Sequence, residues 1–295
     1  MIGQNGQATL VLVNGTEHPP ESAVLSIFDY GVLFGHSVYE VLKGRPGRLF
    51  APGRHLTRLR YSANHTGIAL PWSDALLQEE LSRINQTFFA RFPETSQTYL
   101  RLVVTRGIGP LRYSSSIEGS PTRLLFAQAL EPLGERVYLE GVDLMLGSFT
   151  KGPAQLTEGN VKTGNYLNHV LQLETARQQG YHEAVLCNHL GHVLECTTSN
   201  LFWFQGDTLC TPSLNQGVLN GITRQLTLES AAILKIEVME GQFALETFLQ
   251  ADEAFITSTT RDILPVRRVR EKFFSIGPLT KKLSKQFQSM GWEME

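Results

Sequence analysis

The sequence predicts an α+β protein in two lobes. Helical and strand-like stretches come in clusters, without the regular βαβα alternation that marks a doubly wound parallel sheet. No Gly-x-Gly-x-x-Gly opens a helix after a strand, which disfavours a dinucleotide fold. The 295 residues suffice for two domains of about 100 to 200 residues each.

The elements follow in order. "ATLVLVNGTEH" alternates apolar residues up to Asn14-Gly15, a hairpin signal. Strands are expected at "SVYEVLKG" and "RLFAPG", with turn residues Gly44 to Gly47 between them. "HLTRLRYSANHTGI" and "WSDALLQEELSRINQTFFARF" read as helices, the second opened by Ser73 as its cap. "TYLRLVVTRG" and "TRLLFAQAL" return to β character. "LEPLGERVY", with its proline and glycine between two β segments, is the candidate linker. Beyond it, Tyr166, Leu167, Val170, Leu171, Leu173 and Ala176 fall on three-and-four spacing up to Gly180, the pattern of an amphipathic helix. A strand meander is expected through "EAVLCNHLGHVLECTTSNLFWFQGDTLCTP". It is followed by a helix at "GITRQLTLESAAILKI", a strand at "EAFITSTT", a surface hairpin at "PVRRVREKF" and a C-terminal helix at "LTKKLSKQFQSM".

Composition narrows the function classes. Hydrophobic residues make up 42% and charged residues 18%, ordinary for a globular chain. A net charge of -2 supplies no general attraction to nucleic acid or anionic lipid, so neither is expected as a partner. The first twenty residues lack the basic start and apolar stretch of a signal peptide, and no run approaches the roughly 18 apolar residues of a membrane span, so a cytoplasmic protein is expected. Cys187, Cys196 and Cys210 show no Cys-x-x-Cys spacing, and the histidines form no metal-ligand pair with a nearby carboxylate; no disulfide framework and no metal site are expected.

One lysine stands out. Lys162, in "GNVKTGNYLN", precedes the predicted helix and has no place in a charge stripe. It is either a solvated lysine or one held with its amine partly deprotonated, as Schiff-base chemistry requires. Elsewhere, "LNGITRQLTLES" sets Gly221-Ile222-Thr223 at a helix start, where free N–H groups and the dipole favour an anion. "ITSTTRD" supplies Thr257, Ser258, Thr259 and Thr260 in a hydroxyl-rich turn, which N-capping or turn formation alone also explains. Arg58 is a planar cation suited to phosphate, and Glu195 is a carboxylate at a strand end with little basic charge nearby. A lysine nucleophile, a phosphate cradle, an arginine and a semi-buried carboxylate together make the parts of a pyridoxal-phosphate site.

Six blocks in order, "FDYGVLFGHSVYEVLKG", "HLTRL...SA", "VKTGNYLN", "GYHEAVL...GHVLECTTSNLF", "TPSLNQGVLNGITRQ" and "ITSTTRDILPV", give the chain a resemblance over nearly its whole length to the class IV aminotransferases, the fold-type IV pyridoxal-phosphate family. The resemblance implies a small N-terminal α/β domain over 1–130, a linker over 131–137, and a larger C-terminal domain over 138–295. That larger domain would have a strand meander or barrel-like core and carry the lysine. It further implies pyridoxal 5'-phosphate as cofactor and Lys162 as its Schiff-base residue. Arg58, Ile222, Thr223, Ser258 and Thr259 would hold the phosphate, Glu195 would face the pyridine nitrogen, Leu219 would pack on the ring, and Tyr166 would lie near the phenolic oxygen. Amino-acid and keto-acid substrates and a homodimer are implied as well.

The subgroup resemblance is mixed. "VYEVLK" resembles the D-amino-acid aminotransferases at Tyr39, Glu40, Val41 and Lys43, and "TSTT" is similar to that group too, so Tyr39, Lys43, Arg112 and Thr260 are expected at the substrate. "TRGIGPLRYSS" departs from that group: Arg112 is one position off its carboxylate-binding arginine, and Tyr113 brings no histidine after it. "KTGNYLNHVL" is similar to some branched-chain aminotransferases, whereas "ECTTSNLFW", "LNGITRQ" and "RGIGPLRYSS" resemble aminodeoxychorismate lyase in part. Against the lyase, Glu40 and Val41 stand where it has a pair of threonines. Amino transfer is therefore the expected reaction, with the lyase as the alternative. "FGHSVYE" also replaces the family's common "FGDGVYE" with His36 and Ser37, and His36 is expected to be a structural or substrate-edge residue rather than a base.

Overall fold

A computed structural model describes residues 8–114, 119–151 and 161–294 and divides them into two compact units. The first unit holds 8–114, 119–132, 161–165 and 292–294; the second holds 133–151 and 166–291. Residues 1–7 of the N-terminal stretch lie outside the described residues, as do Ser115 of the "LRYSS" stretch and the Gly159-Asn160 that precede the lysine segment. Among the described residues, no helix is long and apolar enough to cross a membrane.

The first unit begins with the hairpin of β1 (Thr9–Val13) and β2 (Thr16–His18), turned by Asn14 and Gly15, both at positive φ as a type I′ turn demands. A short helix, α1 (Tyr30–Phe34), precedes β3 (Ser37–Arg45) and β4 (Arg48–Phe50). Two longer helices follow, α2 (Pro52–His65) and α3 (Asp74–Arg91), then β5 (Thr98–Thr105) and β6 (Thr122–Ala129). "APG", read as the tail of a strand, instead starts α2, with Pro52 at a position where its missing N–H costs nothing. Ser73 caps α3 as expected, its hydroxyl accepting from the Leu76 amide at 3.2 Å. With the C-terminal strand Trp292–Met294 at one edge, the sheet runs C-terminal strand, β4, β3, β5, β6, β1, β2, antiparallel throughout.

Alternation along these strands sorts the side chains to two faces. Val38, Leu42, Leu100, Leu102, Val104 and Leu125 pack against Leu56, Leu59, Leu81 and Phe88 of α2 and α3. The opposite face carries Tyr39 and Lys43 of β3, Tyr99 and Arg101 of β5, and Phe126 and Gln128 of β6. A cavity of about 530 Å³ opens there, lined by Tyr99, Arg101, Phe126, Gln128, Ala129 and Leu130.

The second unit is built on a closed sheet. Its strands are β7 (Val142–Lys151), β8 (Glu183–Asn188), β9 (Val193–Cys196), β10 (Asn200–Gln205), β11 (Thr208–Pro212), β12 (Val238–Gly241), β13 (Glu253–Ser258), β14 (Asp262–Val269) and β15 (Lys272–Phe273). Pairing runs β7, β8, β9, β10, β13, β14 and back to β7, so six strands form a barrel-like ring that leaves them no free edge. The helices are α4 (Glu135–Glu140), α5 (Leu167–Gln178), α6 (Ile222–Ile233), α7 (Leu245–Phe248) and α8 (Pro278–Phe287).

Two differences from the sequence reading concern boundaries. The last residues of the expected linker 131–137 already belong to α4. The linear division assigns Lys162 to the C-terminal domain, but residues 161–165 group with the first unit. The cause is backbone bonding, because the Tyr39 amide donates to the Lys162 carbonyl at 3.1 Å and the Gly164 amide donates to the Ser37 carbonyl at 2.8 Å. A third difference concerns α5. Its apolar stripe is not a buried face: Leu167, Val170 and Leu171 are exposed, and only Ala176 is fully buried.

Candidate active site

In the first unit the lysine segment lies along the start of β3. The Lys162 amide donates to Ser62 Oγ of α2 at 3.0 Å, and Val38 bridges Thr163. Two glycines permit this close approach. A Cβ at Gly164 would stand 2.1 Å from Ser37 Oγ, and one at Gly35, whose φ is +64°, would stand 2.1 Å from Asn165 Oδ1. Ser37, which replaces the glycine of the common family pattern, is thus accommodated by Gly164 opposite it. His36 Nε2 lies 2.7 Å from the Thr66 carbonyl at the end of α2.

So held, Lys162 is half-buried, with Nζ 4.5 Å from the centre of the Tyr39 ring. The guanidinium of Arg101 lies 4.3 Å from the same ring. Burial raises the Tyr39 hydroxyl above its ordinary pKa, against the opposing pull of Arg101, so it stays a neutral donor at physiological pH. Arg101 was missed from sequence because "TYLRLVV" reads as any half-buried strand; its cation on the cavity-facing side of β5 becomes visible only with the sheet register.

Arg58 is 9% exposed and bound to Glu40, which is fully buried. Arg58 Nε donates to Glu40 Oε1 and Nη2 to Oε2, each at 2.7 Å, and His55 Nδ1 lies 2.7 Å from Oε2. Burial would push the Glu40 carboxyl up, but the charge and fork of Arg58 and the His55 bond outweigh it and hold the carboxyl down at about 2. Burial likewise pushes the His55 imidazole down, so the neutral ring with its proton on Nδ1 donates to Glu40. His55 Nε2 is then the bare nitrogen, in keeping with its lack of a hydrogen-bond partner.

Lys43 and Arg112 lie apart from this group. Lys43 shares the face of Tyr39, but four residues of strand separate them by about 13 Å, and its Nζ sits 4.7 Å from the Phe50 ring and 5.4 Å from that of Trp292. Arg112 is exposed in a bend, its carbonyl accepting from the Tyr30 hydroxyl at 3.1 Å.

The second unit gathers most of the remaining expected residues. Glu195 lies next to the last residue of β9 and is 6% exposed; its Oε2 accepts from the Leu219 amide at 2.9 Å and from Asn200 Nδ2 at 3.2 Å. Asn200 Nδ2 also donates to the Leu219 carbonyl at 2.8 Å, so both polar groups of the Leu219 backbone are fixed. Gly221, the N-cap of α6, brings no capping side chain, and a Cβ there would stand 2.1 Å from Asn200 Oδ1. The first amides of α6, Ile222 and Thr223, thus begin an uncapped helix beside Asn200. The hydroxyls of Thr223 and of Thr257, which pairs with Asn200 across β10 and β13, are buried and have no hydrogen-bond partner among the described residues. Asn200 had no distinguishing signal in "TSNLF".

Ser258, Thr259 and Thr260 form the half-buried turn from β13 to β14, where Ser258 Oγ accepts from Arg261 Nε at 3.0 Å. Tyr166 precedes α5, and its hydroxyl donates to the Thr197 carbonyl.

In the second unit a buried carboxylate on a strand and a hydroxyl-lined helix start are carried by a closed six-stranded sheet. The family model for Amino-transferase class IV matches residues 37–269. The chain is 33% identical over 284 residues to a putative branched-chain-amino-acid aminotransferase of Methanocaldococcus jannaschii, covering 95% of this chain and 96% of the relative. It is also 33% identical over 283 residues to a D-alanine aminotransferase of Listeria monocytogenes, covering 94% of each. The crystal structure of 4-amino-4-deoxychorismate lyase from Pseudomonas aeruginosa superposes with a TM-score of 0.81 at 29% identity, over 95% of this chain and 98% of that one. The chain belongs to the class IV aminotransferase family, whose enzymes depend on pyridoxal phosphate.

Proposed function

We propose that this enzyme transfers an amino group between an amino acid and a 2-keto acid with pyridoxal 5'-phosphate as its cofactor. The observation that carries this reading is the pair of buried, unpartnered hydroxyls, Thr223 and Thr257, beside the uncapped start of α6. A buried hydroxyl without a partner costs about 1 to 3 kcal/mol, which an anion accepting both would remove. The residues present therefore fit a phosphate group.

When bound, the cofactor supplies an aldehyde for the substrate amine and a ring that absorbs the electron pair released at the substrate's α-carbon. Ile222 and Thr223 would hold the phosphate through the helix start, with Thr257, Ser258 and Thr259 supplying hydroxyls and Arg58 a cation. Glu195 would keep a proton on the ring nitrogen, Leu219 would pack against the ring, and Tyr166 would take the phenolic oxygen. Lys162 would be the residue that holds the cofactor's aldehyde, and its free amine would serve as the base that moves the proton at the substrate's α-carbon. Arg101 and the Tyr39 hydroxyl would receive a substrate carboxylate, and Thr260 would be a further substrate-binding residue.

Borohydride reduction of the yellow enzyme followed by peptide mapping tests this. The label is expected on Lys162 and absent from Lys162→Ala; a label elsewhere, or no uptake of cofactor, overturns the reading. The likeness to the lyase supports a second reading. Release of fluorescent 4-aminobenzoate from aminodeoxychorismate without a keto acid would select it over amino transfer.

The enzyme works as a homodimer in the cytoplasm. In support, the first unit exposes the large apolar side chains of Val24, Ile27, Phe28, Val32, Ile108 and Leu111. The three cysteines are free thiols, as in a reducing compartment. Sedimentation equilibrium at micromolar concentration reads the dimer, and a monomer there would contradict it.

A further inference from the structure

Glu183 is the first residue of β8 and is fully buried, yet nothing in the proposed chemistry uses it. Its carboxylate accepts from Thr197 Oγ1 at 3.1 Å, the Thr198 amide at 2.9 Å, Thr198 Oγ1 at 2.5 Å and Ser199 Oγ at 3.1 Å. Those three residues form the whole connection between β9, which ends at Cys196 next to Glu195, and Asn200 at the start of β10. The same carboxylate is ion-paired with Arg261.

Arg261 in turn spans two loops. Its Nη2 donates to Thr198 Oγ1 at 2.6 Å, its Nε donates to Ser258 Oγ at 3.0 Å, and its Nη1 lies 3.0 Å from His182 Nε2. A planar fork with donors fixed in direction sets the spacing of its partners as a flexible ammonium would not. The Tyr166 hydroxyl also rests on this connection, at the Thr197 carbonyl.

We propose that Glu183 is a positioning residue: with Arg261 it ties the Thr197–Ser199 connection to the Ser258–Arg261 turn, so that Glu195 and Asn200 are held in fixed register with the hydroxyls of that turn. The role rests on the functional reading above, in which Glu195 and the Ser258–Thr259 hydroxyls take opposite ends of one cofactor. A rigid ligand with two charged ends rewards a fixed separation between the groups that hold them. The alternative, that Glu183 merely stabilises the barrel, has a physical objection. Burial pushes its carboxyl up, and only Arg261 and the Thr198 donors bring it below the usual range, so an apolar residue of similar volume would serve stability as well.

The test compares wild type with Glu183→Gln, Arg261→Lys and the double variant. Each is measured for melting temperature without cofactor, for the dissociation constant of pyridoxal phosphate by tryptophan quenching, and for the visible band of the loaded protein. Arg261→Lys keeps the charge beside Glu183 and so stays informative if Glu183→Gln does not fold. Positioning predicts that each folded variant binds the cofactor on the order of tenfold more weakly with a displaced band, and that the double variant is no worse than the singles, because all break one tie. A lowered melting temperature with a dissociation constant within about twofold of wild type and an unmoved band would overturn the proposal, as the mark of a purely structural residue. A wild-type protein that takes up no cofactor would instead overturn the functional reading beneath it.

Discussion

Replacing Glu40 by glutamine should unlock the junction of β3 and α2, and the structure sets the size of the effect. The carboxyl is held at about 2 against an ordinary 4.5. At 1.36 kcal/mol for each pH unit, that depression amounts to about 3 kcal/mol of stability at neutral pH. Because the folded value is the lower one, the contribution is complete above 4.5 and is lost as pH falls from there toward 2. Glu40→Gln keeps the shape but leaves the Arg58 guanidinium, 9% exposed, without its counterion; breaking a buried pair in this way costs about 3 to 5 kcal/mol. Hydrogen exchange followed by mass spectrometry over peptides 37–45 and 52–65 measures the opening free energy of the two elements. Exchange at pH 7 should be roughly a hundredfold faster in the variant or more. The gap should narrow as wild type is acidified below 4.5, because the variant has no Glu40 carboxylate to protonate. His55 adds a separate slope that persists in the variant. Its folded pKa is lowered, so it stabilises fully above 6.5 and progressively less as pH falls below that value. A difference below about 1 kcal/mol at pH 7, or parallel acid profiles for the two proteins, would refute the reasoning.

Two further substitutions test the site from each unit. Thr223→Val removes a buried hydroxyl that has no protein partner, so the cofactor-free protein should melt no lower than wild type. Its affinity for pyridoxal phosphate should nevertheless fall by about tenfold, the worth of a hydrogen bond to a charged group, and calorimetric titration that finds no loss removes Thr223 from the cradle. Gly164→Ala would place a Cβ 2.1 Å from Ser37 Oγ, at the overpacking cost of about 1 to 3 kcal/mol, and should displace the lysine segment. Adding Ser37→Gly should restore both the melting temperature and the borohydride label on Lys162; a double variant no better than the single would show that the clash is not the cause.

What could be read in the sequence follows the range of each signal. Hairpin chemistry at Asn14-Gly15, the cap at Ser73 and alternation in "VYEVLK" are local, and the backbone adopts what they specify. Alternation does not reveal what covers each face. Lys43 shares parity with Tyr39 yet lies against Phe50 and Trp292. Three-and-four spacing likewise specified α5 but not its burial, and Leu167, Val170 and Leu171 remain exposed. The barrel closes through a parallel pairing of Val142 with Val266, a match between strands on opposite sides of the meander that no local pattern encodes. The same distance hid Glu183 and Arg261, which are separated by 78 residues, and made Asn200 look like an ordinary strand residue.

The register of β3 also changes the weight of the argument between amino transfer and lyase chemistry. Glu40 and Val41 together stand where the lyase has two threonines, but adjacent strand residues point to opposite faces of the sheet. Glu40 faces α2 and is wholly engaged with Arg58 and His55, so a threonine there would exchange a buried ion pair for a short hydroxyl behind the sheet. Its effect would reach the chemistry only through the orientation of Arg58. Val41 pairs with Arg101 on β5, on the face that holds Tyr39 and the cavity. A threonine at 41 would add a hydroxyl to that face, where a reacting group could use it, whereas valine offers only methyl groups. The contrast with the lyase therefore rests on Val41. Val41→Thr is the substitution that would bring this surface closer to lyase chemistry, and Glu40→Thr the one that would chiefly cost stability.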